Sequence, residues 1–167
     1  MGPFWIEAFR YNKWANLHLL EVCAPFTDEQ LQLTAPGTYG SLERTLMHLL
    51  GAEQRYVQRL GGDEPRIRSK SDFPGVSALV EHARRSSDDL ITLAGRTEPD
   101  EFIEEEDEDG RVRIQSGVVL IQALHHGNDH RTHICTILGH HGLAYGDMDV
   151  WAYGEAVGEV VVLEKRR

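Results

Sequence analysis

Cysteine is nearly absent from the sequence: Cys23 and Cys135 are the only two, more than a hundred residues apart. That spacing excludes a disulfide-rich scaffold and a CxxC redox or zinc pair, so both read as reduced thiols of a cytoplasmic protein. Long apolar runs are also missing. No stretch approaches the ~20 apolar residues of a membrane span, and the opening Met1-Gly2-Pro3-Phe4-Trp5-Ile6-Glu7 has no basic segment ahead of an apolar one. Neither membrane insertion nor secretion is expected. Basic residues are scarce, 17 against 27 acidic, and the net charge of −10 would repel a nucleic-acid backbone. The two basic stretches, residues 66–70 and 165–167, are short and carry no interleaved aromatics, as a solvated surface does.

What is present suits one globular domain: 167 residues, 41% apolar and 26% charged, enough to bury a core without covalent staples. Four segments have helical length. The first covers about residues 4–24 and stops before Pro25, since proline disfavours helical geometry in the residue ahead of it. Residues 27–30 read as a short helical start or turn. Ser41 caps a second helix over 42–60 that ends at Gly61-Gly62. A third runs over 76–95 after Pro74-Gly75, and a fourth over 117–139. The acidic run 98–109 reads as a solvated loop, and the alternating Arg111-Val112-Arg113-Ile114-Gln115 as a short extended piece. Residues 147–165, with Val150, Trp151 and an apolar run at 160–163, fit either a helix or a strand. The expected fold is all-α, a four-helix bundle (about 4–142) with a C-terminal extension (143–167), as a single domain.

Histidine is the one residue type in excess. Six of nine fall between His125 and His141. At 100° per residue from His126, His130 lies at about 40° and His133 at about −20°, among Val119, Ala123 and Ile137. An i, i+4 histidine pair directs two imidazoles at one ion, and Gly127 leaves room beside it. A third ligand must come from another helix. His48 suits by type, yet the apolar stripe Leu42, Leu46, Leu50, Glu53, Val57 puts it about 160° from Leu46. Periodicity alone leaves His48 outside unless that helix is buried on two faces. Glu53, on the stripe, reads as a buried carboxylate: a ligand, a proton acceptor or a partner to a ligand. His133 could hydrogen-bond a bound water or substrate, or fill the core. Arg131, His125, His140 and His141 read as surface or dimer residues, Tyr11 and Trp14 as core packing, and Cys135 as chemically inert.

Taken together, Tyr11-Asn12-Lys13-Trp14-Ala15-Asn16, the segment from Thr45 to His48, and His126-Gly127-Asn128-Asp129-His130-Arg131 with the distal Leu138-Gly139 resemble the DinB-like (DinB/YfiT) superfamily. The resemblance implies an up-down-down-up bundle holding a divalent metal near one end, with His48, His126 and His130 as ligands, often as a homodimer. It leaves the metal open among Zn, Ni, Fe and Mn, since imidazole suits each. It also implies a chemistry: relatives include transferases and isomerases that use low-molecular-weight thiols such as mycothiol, bacillithiol or glutathione. A metal-dependent thiol S-transferase acting on a small electrophilic substrate is therefore expected, the alternatives being a non-catalytic metal-binding stress-response protein and a metal-dependent hydrolase.

Overall fold

The computed structural model describes residues 3–68, 71–107, 110–161 and 163, so the basic tail 165–167 and part of the basic stretch 66–70 lie outside the described residues. Its elements are α1 (Pro3–Cys23), α2 (Asp28–Leu31), α3 (Leu42–Arg59), α4 (Val76–Arg96), β1 (Phe102–Asp107), β2 (Gly110–Gln115), α5 (Ser116–His140) and α6 (Val150–Ala156). Local chemistry sets the ends. Thr27 and Gln30 form a reciprocal capping box that starts α2. The Ser41 hydroxyl accepts from the Arg44 amide at 3.2 Å and starts α3. At the far end of α3, Gly61 takes φ +86° while the amides of Gly61 and Gly62 return to the carbonyls of Gln58 and Val57, both at 2.9 Å. This is a Schellman stop, and a side chain at Gly61 would resist its left-handed backbone.

The long helices pack in a ring, α1 against α4, α4 against α3, α3 against α5 and α5 against α1. Their apolar residues form two clusters. One joins Leu19 and Leu20 of α1, Leu46 and Leu50 of α3, Leu79 of α4 and Ile134 of α5. The other joins Phe9 of α1, Val57 of α3, Leu90 of α4 and Leu120 of α5. Late α1 and late α5 thus share a level with early α3 and early α4, which makes the direction up-down-down-up. Between the clusters lie the buried polar residues Asn12, Asn16, Glu53, Ser86, Ser87 and Arg131, a polar layer at mid-height.

Two expectations are corrected. Residues 102–107 of the acidic run are strand and not loop: β1 pairs antiparallel with β2, setting Glu104 opposite Arg113 and Glu106 opposite Arg111, while residues 108–109 lie outside the described residues. Arg111 reaches Glu104 at 2.8 Å, and Arg59 from α3 reaches Glu105 at 2.7 Å. The partner strand and a neighbouring helix supply the counter-charge that the run lacks in itself. Nor do Tyr11 and Trp14 fill the bundle core. Both are half-buried on the outside of α1, where the C-terminal extension docks. There the Tyr11 hydroxyl donates to the Met148 carbonyl at 2.9 Å, and the Tyr153 hydroxyl donates to Glu7. Residues 147–165, which fitted helix or strand equally, contain the short α6, capped by Asp149. Val162 and residues 164–167 lie outside the described residues.

Candidate metal centre

His48 projects from the middle of α3, and His126 and His130 from successive turns of α5. One ring nitrogen from each lies within 4.8 Å of the other two, a group able to hold a metal ion. His126 Nε2 and His48 Nε2 stand 3.1 Å apart. Two nitrogens on a tetrahedral zinc ion, each at about 2.0–2.1 Å, are about 3.3–3.5 Å apart, so small ring movements satisfy such an ion. Periodicity put His48 on the wrong side because it assumed a single buried stripe. In fact Thr45, Met47, Leu49 and Ala52 are buried together with Leu46 and Leu50, and His48 stands half-buried at the edge of this wide arc. The group is at the level of the polar layer, mid-way along both helices, and not near one end as the resemblance implied.

The rings are kept neutral. Burial, with the neighbouring imidazoles His130 and His48, lowers His126 to about 3. Burial, then His48 and His133, lowers His130 to about 4. Burial, Arg55 and Arg44 lower His48. Only unprotonated imidazoles ligate metals, and these three have the required protonation state at neutral pH. Aromatic walls support it: Tyr39 stacks on His48 with centroids 4.1 Å apart and meets His130 edge-on, while Tyr56 meets His126 edge-on. Sequence reasoning missed both. Tyr39 lies in a loop without periodicity, whereas Tyr56, one turn beyond the apolar residue Ala52, could have been found by extending the α3 face.

Other candidates separate clearly. His133 is half-buried with Nδ1 3.4 Å from His130 Nδ1. Glu53 belongs to a different constellation: its Oε2 accepts from Asn12 Nδ2 at 2.9 Å and Asn16 Nδ2 at 2.8 Å, its Oε1 from Ser86 at 2.5 Å and Ser87 at 3.0 Å. The carbonyl oxygens of the same two asparagines accept from Arg131 Nη1 at 2.8 and 2.6 Å. Burial, the largest influence, raises the Glu53 carboxyl above its ordinary value, although Ser86, Ser87, Asn12 and Arg131 pull against it. Four converging donors are the setting of an ionised carboxylate, which Arg131 balances across two amides.

Arg131 is therefore no surface residue; it is 4% exposed. Gly127 makes room for this network, since a Cβ there would come within 2.6 Å of Asn12 Oδ1 and 3.0 Å of Arg131 Nη1. His125, His140 and His141 are exposed, the last with its ring nitrogen 2.9 Å from the Thr34 carbonyl oxygen. Both thiols are unpaired, and burial raises Cys23 to about 12 and Cys135 to about 11, which leaves them protonated and unreactive.

The sequence profile of the DinB family matches residues 1–161. The chain belongs to the DinB family. Among solved structures, this DinB-family protein is similar to a DinB-like protein from Bacillus cereus ATCC 10987, with a TM-score of 0.61 and 16% identity over 86% of this chain and 94% of that one. At that identity the likeness establishes the fold. No curated protein matches the chain. Among the described residues, no helix is long and apolar enough to cross a membrane.

Proposed function

We propose that this DinB-family protein binds a divalent metal ion through His48, His126 and His130 and uses it as a thiol S-transferase acting on a small electrophile. The observation that carries the reading is the donor set: three imidazoles from two helices, their nitrogens within 4.8 Å, kept neutral by burial and by one another. Three neutral ligands leave coordination positions open, as at catalytic and not closed structural zinc sites. A bound ion would supply electrostatic stabilisation of a thiolate, lowering a thiol pKa from about 8.5 toward neutrality.

The protein's own groups supply the rest. Neither cysteine competes as nucleophile, because Cys23 is buried, Cys135 is half-buried, and burial keeps both thiols protonated. His48, half-buried, would be the side from which a cosubstrate reaches the group, and Tyr39 at 36% exposure stacks on its ring there. His133, beside His130, would fix the orientation of that ring. A cytoplasmic homodimer belongs to the same reading, on the grounds of two unpaired thiols and the exposed Val150, Trp151 and Val161 on the C-terminal extension.

A non-catalytic reading draws on one observation: the three histidines bridge α3 and α5 at mid-height, so an ion would staple the bundle. One experiment separates the two. Protein loaded with Co²⁺ is titrated with a panel of low-molecular-weight thiols; a sulfur-to-metal charge-transfer band, abolished by His48→Ala, is the expected result. An unchanged Co²⁺ spectrum with every thiol would overturn the transferase and leave the staple, or hydrolysis by metal-bound water.

A further inference from the structure

We propose that Asp129, His130 and His133 form a second, outer site for a divalent cation, which shares His130 with the inner histidines and receives the ion on its way to them. The inference rests on the reading of His48, His126 and His130 as a metal centre, and it adds a route of loading. One ligand atom from each of Asp129, His130 and His133 lies within 4.8 Å of the other two. The two ring nitrogens nearest each other, His130 Nδ1 and His133 Nδ1, are 3.4 Å apart, about the spacing of two nitrogens on one ion at 2.0–2.1 Å from each. Two imidazoles and a carboxylate are a donor set that Zn²⁺, Fe²⁺ and Mn²⁺ all accept.

Exposure and charge give the pair of sites a direction. Asp129 is exposed, His133 half-buried and His130 buried, a graded path from solvent inward along one face of α5. Charges near the inner group differ from those near the outer one. Arg44 and Arg55 act on His48, and Arg55 also acts on His126, so the inner group has cations for neighbours and no carboxylate among its three ligand atoms. Asp129 is the acidic side chain whose charge reaches both His126 and His130. A cation arriving from water therefore meets the carboxylate first. Because His130 belongs to both sets, an ion held outside is already on one of the inner ligands, and passage inward exchanges Asp129 and His133 for His126 and His48.

The test uses metal-free full-length protein titrated with Co²⁺, followed by visible absorption and by equilibrium dialysis. Wild type should bind one tight equivalent. His48→Ala, which leaves the outer set intact, should keep a weaker equivalent, and adding Asp129→Asn or His133→Ala to it should weaken that residual site by a further factor of about ten or more. Asp129→Asn alone should slow uptake in stopped flow several-fold while changing the tight affinity little. Residual binding in His48→Ala that is indifferent to both Asp129 and His133, or is absent altogether, overturns the outer site. A His48→Ala protein that binds as tightly as wild type overturns the inner reading instead, and Asp129→Asn and His133→Ala then decide whether the outer set holds the ion by itself.

Discussion

The two polar groups at mid-height of the bundle are built on opposite plans. Around Glu53 and Arg131, donor meets acceptor and charge meets charge: four donors converge on the carboxylate and three asparagine oxygens accept from the guanidinium. In the histidine group, by contrast, like groups face one another: two ring nitrogens 3.1 Å apart have one proton at most between them, and none of the three rings is charged. A buried polar cluster that closes on itself needs nothing further and serves the fold, whereas one that gathers lone pairs of the same kind is shaped for a cation.

Breaking the closed group should have the largest effect. Arg131→Ala leaves the Glu53 carboxylate buried without its counter-charge, and a loss of about 3–5 kcal/mol of unfolding free energy in urea is expected, with or without metal. A loss under about 1 kcal/mol would erase the contrast. Removing the cation from the histidine group comes next: stripping metal with a chelator should lower stability by about 2.7 kcal/mol relative to protein at a hundredfold excess over the dissociation constant. His126→Ala should abolish this difference, and His82→Ala, on α4, should leave it intact.

Gly127→Ala sharpens the boundary between the groups, because its methyl would intrude on Asn12 and Arg131. It should cost about 1–3 kcal/mol despite alanine's better helix propensity, as measured by thermal unfolding of the metal-free protein. The last test is acidic. Above about pH 6.5 the rings are neutral in folded and unfolded chains alike. Below it the unfolded chain takes up protons that folded His130 refuses until about 4 and folded His126 until about 3. Metal-free protein should therefore lose stability as pH falls through that interval, and His126→Ala should flatten the slope of melting temperature against pH.

Much of the bundle was legible because helix ends are written locally: Pro25, Ser41, Gly61 and Gly75 mark their boundaries with short-range chemistry. The hairpin was not, since the acidity of residues 104–106 is answered only by Arg111, Arg113 and Arg59 across space. Among site residues, the His126 and His130 pairing could be read from one helix alone. The position of His48 could not, because it depends on how wide an arc of α3 is buried, which its neighbours on three other elements decide. Arg131, Asn12 and Asn16 were hidden for a related reason. A charged or amide side chain reads as surface until its partners, 115 and 119 residues away, are known.

The polar layer has a consequence for how the chain finds its fold. Leucine-lined helices pack almost equally well when one slides along another by a turn, about 5.4 Å. With Glu53, Arg131 and the two asparagines in the middle, such a slip would set a carboxylate and a guanidinium against the leucines of the flanking clusters and strand both. The layer thus acts as a key that only one alignment accepts, penalising misregistered bundles more than it rewards the native one.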